Sequence, residues 1–132
     1  MPFEKFDRDE FLYVKYSQDT ISDKECLKNA LLMEAAAGKR RDTILEFTSA
    51  TILYSVEIGM IVQFLKTLNG TGRFLRLVAS NYVCEMLVTM NIHRIPNLIL
   101  YNSMDAIREH YPMVNFEEFV SIGTEGEEMG EV

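Results

Sequence analysis

The sequence predicts an α/β domain with a mixed, mostly parallel sheet, flanked by about four helices and opening with a β-hairpin. Three observations predict it. Short β-favouring runs alternate along the chain with longer stretches of helical periodicity, which is the pattern of parallel strands joined by crossover helices. Capping and breaking residues stand at most of the junctions. The first two β-favouring runs are separated only by the polar turn Asp7-Arg8-Asp9 and Glu10, too short for a crossover and right for an antiparallel edge.

Phe3 to Phe6 and Phe11 to Tyr16 are the hairpin strands; apart from Lys15, every residue of the second favours extended backbone. Ser22-Asp23-Lys24-Glu25 has the capping-box spacing that opens a helix. Behind it Cys26, Ala30, Met33 and Ala37 fall on one helical stripe, with Leu27 and Leu31 beside it, and Gly38 is a C-terminal stop. Thr43 to Phe47 reads as a central strand. A second helix runs from about Val56 to Leu68, with Ile58, Ile61, Val62, Leu65 and Leu68 as its buried face and Asn69-Gly70 as its end. Phe74 to Val78 is the next strand. Tyr82 to about Met90 is a third helix, with Ser80 or Asn81 as its cap. Asn97 to Tyr101 is the last strand, and Asn102 or Ser103 caps a final helix from Met104 to about His110, closed by Pro112. All four helices are expected to be amphipathic.

The chain of 132 residues is one domain's worth, spanning 1–116, followed by an acidic tail at 117–132 expected to be disordered from about 121. The formal charge of −7 is concentrated in that tail: removing its six acids from the 20 leaves 14, against 13 Lys and Arg. A nearly neutral body without a basic stripe argues against nucleic-acid binding, and Lys39-Arg40-Arg41 reads as a solvated turn. No apolar run reaches the roughly 18 residues of a membrane span, and no basic-then-apolar leader opens the sequence, so a cytoplasmic location is expected. Cys26 and Cys84 read as small core hydrophobes and not as a disulfide. His93 and His110 stand apart from any second ligand; His93 reads as a cation near a helix C-terminus, and no metal or other cofactor is expected. Met86 and Met90 read as core packing. Asn69-Gly70-Thr71-Gly72 ends a helix where a phosphate loop would open one, and no nucleophile motif occurs. Residues and spacing alone favour a binding module over an enzyme.

One stretch carries more. Ile44-Leu45-Glu46-Phe47-Thr48-Ser49-Ala50-Thr51-Ile52-Leu53-Tyr54-Ser55-Val56-Glu57-Ile58-Gly59 aligns without a gap on a strand, an "LDLS" segment, a short loop, a "DSSGLG" segment and a helix. Gly72 to Val78 looks like "G..L.LV", Leu87 to Ile92 resembles "L...GL", and Tyr101 to Ile107 looks like "Y.S.EEAL". In order and spacing the span from about Phe11 to Tyr111 resembles the STAS domain, the module shared by sulphate transporters and anti-sigma-factor antagonists. The resemblance implies a bacterial, non-catalytic regulator that binds a protein. In the antagonist branch the serine of the "DS" pair accepts phosphate from a cognate anti-sigma serine kinase, and Ser55 falls on it. Tyr54 stands where the family has Asp, Val56 where it has its second Ser, and Glu57 where it has Gly, so the turn is bulkier and more apolar than usual. The loop Ser17-Gln18-Asp19-Thr20 matches the family's opening loop without its Gly.

The resemblance therefore makes Ser55 the phosphoacceptor candidate, and Tyr54, Val56, Glu57 and Asp19 the partner-binding candidates. Ser55 as a plain helix cap, and Tyr54 as an ordinary exposed aromatic, remain open beside those roles. A second function of the same fold is an accessory subunit of a lipid-transport ATPase complex, with the ATPase subunit as partner and no phosphorylation. A third is a nucleotide or lipid sensor at the same helix start. A homodimer is compatible with all of them.

Overall fold

The computed structural model describes residues 3–16, 21–47 and 54–116. Five strands form one sheet in the order β1-β2-β3-β4-β5. They are β1 (Phe3–Asp7), β2 (Phe11–Tyr16), β3 (Asp42–Phe47), β4 (Leu75–Val78) and β5 (Leu98–Tyr101). The first pair is antiparallel, with Phe3 opposite Tyr16, and the other three pairs are parallel, with Tyr16 level with Phe47 and Val78 with Tyr101. The expected opening hairpin and mostly parallel sheet are both present, and β3 and β4 lie in its interior.

The helices are α1 (Ile21–Ala37), α2 (Ser55–Leu68), α3 (Asn81–Thr89) and α4 (Asp105–His110), with a short 3-10 turn at Ile92–Arg94 between α3 and β5. Each crossover from β2 to β5 steps to the next strand in the same direction. A constant hand then places α1, α2 and α3 on one face of the sheet. The main core bears this out. Leu12, Val14 and Tyr16 of β2, Leu45 and Phe47 of β3, and Leu75 and Leu77 of β4 pack against Leu27 and Leu31, Ile61 and Leu65, and Val83 and Leu87. The alternate residues Phe11, Tyr13, Ile44 and Val78 face the other way and are covered by Ile107 of α4 and by Phe116. The period of two along each strand is thus spent on two cores, one per face.

Local chemistry sets most boundaries. Gly38 takes the left-handed conformation just past α1 (φ 66°), as a C-terminal stop requires. Ser80 caps α3, its hydroxyl accepting the Val83 N–H at 3.2 Å. Other expectations shift. α1 opens at Ile21, so Ser22 lies inside the helix and is not its cap. Its buried face is Leu27, Ala30, Leu31 and Glu34; Cys26 and Met33 are exposed. The expected stripe is out by about one residue, because α1 is apolar on both sides and packing alone chooses the phase. For the same reason α1 is not amphipathic: Leu32 and Met33 are 53% and 63% exposed on its outer side.

Arg41 is buried, not part of a solvated turn. Its guanidinium forks onto Glu34, with Nε donating to Oε2 at 2.8 Å and Nη2 to Oε1 at 2.6 Å, and Nη1 also donates to Asp7. Three charges absent from any hydrophobic pattern, Glu34, Asp7 and Arg41, therefore hold α1, β1 and the start of β3 together. α4 is preceded by Met104 in helical backbone, and Ser103 accepts the Asp105 N–H at 3.3 Å, so neither Asn102 nor Ser103 is the cap itself. Met86 packs against the main core, whereas Met90 is half-exposed. His93 sits in the last turn of the 3-10 helix, with its Nδ1 buried and without a hydrogen-bond partner among the described residues.

Candidate functional site

β2 and β3 run parallel and end level with one another, so the helices that follow them both begin at the same edge of the sheet. The sequence-nominated residues of α2 gather there. Asp19 and the rest of the loop at 17–20, the segment 48–53, and the tail from 117 lie outside the described residues.

Tyr54 precedes the first helical residue in extended backbone (φ −89°, ψ 160°), and Ser55 is the first residue of α2. Tyr54, and not Ser55, therefore holds the cap position, and its phenol makes no capping bond. What completes the turn is Glu57, whose Oε1 accepts the Tyr54 N–H at 2.9 Å. Its backbone N–H, and that of Ile58, are taken by the Tyr54 carbonyl at 3.0 Å each. A carboxylate in the first turn also suits the positive end of the helix dipole.

Glu57 was nominated as part of a contact surface. The structure corrects this: the residue is fully buried. Its other oxygen, Oε2, accepts the hydroxyl of Tyr16, itself fully buried at the end of β2, and lies 3.9 Å from Nζ of Lys24 in α1. The Tyr16 ring packs edge-on to Phe47 at 5.2 Å. One carboxylate thus ties β2, the first turns of α1 and α2, and the core. A buried charge is tolerated only when it is paired and hydrogen-bonded, and Glu57 is both. Nothing in the sequence pairs Tyr16 or Lys24 with Glu57; the contacts need the level ends of β2 and β3.

With Glu57 turned inward, the surface of the turn belongs to its neighbours. Tyr54 and Val56 are 51% and 52% exposed, and Ser55 is exposed with no partner for its hydroxyl among the described residues. Nζ of Lys24 lies 5.2 Å from the centre of the Tyr54 ring, which steadies an aromatic that would otherwise swing free. The turn therefore offers two apolar side chains and a free hydroxyl on a rigid base. Among the described residues it holds no nucleophile–base pair. Among the described residues no three His, Cys, Asp or Glu side chains cluster as metal ligands would, and no helix is long and apolar enough to cross a membrane.

The crystal structure of a candidate anti-sigma factor antagonist of Thermotoga maritima, TM1081, superposes on this chain with a TM-score of 0.66, over 82% of this chain and 92% of that one, at 22% identity. The chain has the STAS fold. The NMR structure of TM1081 gives a TM-score of 0.61 over 82% of this chain and 85% of that one, also at 22% identity. The anti-sigma factor antagonist SpoIIAA in its unphosphorylated form gives 0.60 at 17% identity, over 86% of this chain and 99% of that one. No protein-family model and no curated protein matches the sequence. The STAS fold agrees with the element order and with the motifs that pointed to it.

Proposed function

We propose that this chain is a non-catalytic regulatory module that works by binding another protein, in the manner of an anti-sigma factor antagonist, through the turn that starts α2. The observation that carries this reading is the composition of that turn. Tyr54 and Val56 are half-exposed apolar side chains on a base fixed by Glu57, Tyr16 and Lys24, and Ser55 stands between them with an unengaged hydroxyl. Aromatic residues on rigid supports are favoured as interface anchors because little side-chain freedom is lost on binding.

Ser55 is the proposed phosphoacceptor. A phosphate there would add nearly two negative charges between two contact side chains, and like an added charge in any apolar interface it would drive the partner off. Glu57 offers less opposition than its place in the sequence suggests, because its carboxylate faces the core and is partnered by the Tyr16 hydroxyl and by Lys24. The corresponding partner is an anti-sigma serine kinase. A second reading, an unphosphorylated accessory subunit bound to a transport ATPase, is favoured by one observation: Tyr54 and Val56 make the turn suitable for a permanent contact.

Affinity purification followed by binding of the co-purified partner to Ser55→Ala, Ser55→Asp and Tyr54→Ala proteins tests both. Loss of binding with Ser55→Asp but not with Ser55→Ala supports the switch. Equal binding by the two Ser55 variants, with loss on Tyr54→Ala, supports the permanent contact. Unchanged affinity in all three variants overturns the turn as the partner surface.

A further inference from the structure

α1 and α2 pack side by side, and their outer surfaces leave an open trough of about 440 Å³. Leu32 and Ala35 of α1 form one wall, Val56, Met60 and Gln63 of α2 the other, and Gly59 lies among the latter. The trough begins at Val56, so it continues from the turn described above along α2. Leu32 and Val56 are each more than half exposed, which is unusual for side chains that line a concavity in their own fold.

Gly59 is the informative residue. It sits in the second turn of a 14-residue helix, where Gly weakens the helix relative to Ala. Nothing among the described residues demands it: a Cβ added there would meet none of their atoms within 4 Å, and its φ is not in the left-handed region. A helix-interior Gly with free space above it lets a second backbone approach closely. Charge distribution says what kind. Among the described residues the trough's lining contains no carboxylate and one cation, Lys28. Among the described residues no acid pairs with Lys28.

We infer that the trough receives an amphipathic helix of the protein partner, its apolar stripe lying along Val56, Gly59 and Met60 and a flanking carboxylate meeting Lys28. An extended segment would bring unpaired backbone N–H and C=O groups into an apolar trough that cannot satisfy them, whereas a helix satisfies its own. A second copy of this face would bring a lysine where a carboxylate is needed. The inference rests on the protein-binding reading above and adds the partner's chemistry.

The test uses a synthetic helical peptide of about 18 residues with Leu at i, i+3, i+4 and i+7 spacing and Glu flanking that stripe, together with its Glu→Lys counterpart. Each is titrated into ¹⁵N-labelled protein. The acidic peptide is expected to shift the amides of Leu32, Val56, Gly59 and Met60 and to bind about tenfold more tightly than the basic one. Gly59→Leu, which fills the trough, should weaken it about tenfold with the thermal melt retained. Lys28→Glu should reverse the preference between the peptides. Equal affinity for both peptides, or no shifts at those amides, overturns the inference. So do shifts at the same amides on concentrating the protein alone, which would make the trough a self-interface. The co-purified partner separates the two readings. If it is lost with Tyr54→Ala but held by Gly59→Leu, the trough is wrong and the turn stands; the opposite pattern removes the turn and keeps the trough.

Discussion

Replacing Glu57 with Ala should destabilise the protein more than any ordinary change in a first helical turn. The carboxylate is fully buried, accepts the Tyr54 N–H at 2.9 Å and the hydroxyl of the buried Tyr16, and lies 3.9 Å from Lys24. Its removal breaks the buried hydrogen bond from the Tyr16 hydroxyl to a charged acceptor, at about 1.5–3 kcal/mol. It also removes the favourable charge at the helix start, at about 0.3–1 kcal/mol. The Tyr54 N–H lies at an exposed turn and finds water. The total is about 2–4 kcal/mol, a large part of the stability of a small domain. Tyr16→Phe should lose about 1.5–3 kcal/mol, since the bond it removes is to a charged group. The two losses should not add. Once Glu57 is gone their mutual hydrogen bond is gone too, so Tyr16→Phe in that background should cost clearly less than in the wild type, giving a coupling of about 0.5–3 kcal/mol. Urea unfolding of the wild type, both single variants and the double variant, followed by far-UV circular dichroism, measures the cycle. Additive losses would show that Glu57 and Tyr16 do not act as a pair, and the rigid base proposed for Tyr54 and Val56 would go with them.

Gly59→Ala should raise stability by about 0.5–1 kcal/mol, because the added methyl meets none of the described residues and the helix loses a glycine; a lowered urea midpoint would show hidden packing at that position. Asp7 gives a pH dependence. The Arg41 guanidinium hydrogen-bonded to it holds its carboxyl below the usual value of about 3.9, so the folded state prefers the ionised form. Its contribution is therefore fully present above about pH 4 and is lost as pH falls through the folded value. Wild type should be more stable than Asp7→Asn at pH 6, and the gap in urea midpoint should close on acidification; a gap that stays constant down to pH 2.5 would refute the pairing.

The fold was legible because strand and helix signals do not compete in most of this chain. Phe11 to Tyr16 and Thr43 to Phe47 are continuous β-favouring runs, and β2 matches its expected bounds while β3 begins one residue early. α1 was legible as a helix but not in its phase, because Leu27, Leu31, Leu32 and Met33 put apolar side chains on both sides and periodicity has no reason to choose. The site was legible in part. Local sequence placed Tyr54, Ser55 and Val56 at a helix start, and there they stand on the surface. It also placed Glu57 beside them, where a helical wheel cannot distinguish a solvated carboxylate from one turned under the helix. That distinction depends on Tyr16, 41 residues away in sequence, and on Lys24, and it appears only when the sheet register is known. Arg41 was misjudged in the same way: a basic triplet looks solvated until Glu34 and Asp7 are seen to converge on it.

The far face of the sheet has a practical bearing on how such a module is handled. Phe116 is buried there, its ring stacked on Phe11 at 5.6 Å and edge-on to Tyr13 at 5.5 Å, on the side that α4 covers. The backbone is therefore clamped on the opposite side of the sheet from α1 and α2 before the acidic residues at 117–132 begin. An anchor joined directly behind that clamp, whether a biosensor surface, a bead or a fluorophore, meets the molecule on the face opposite α1 and α2 and so away from the trough.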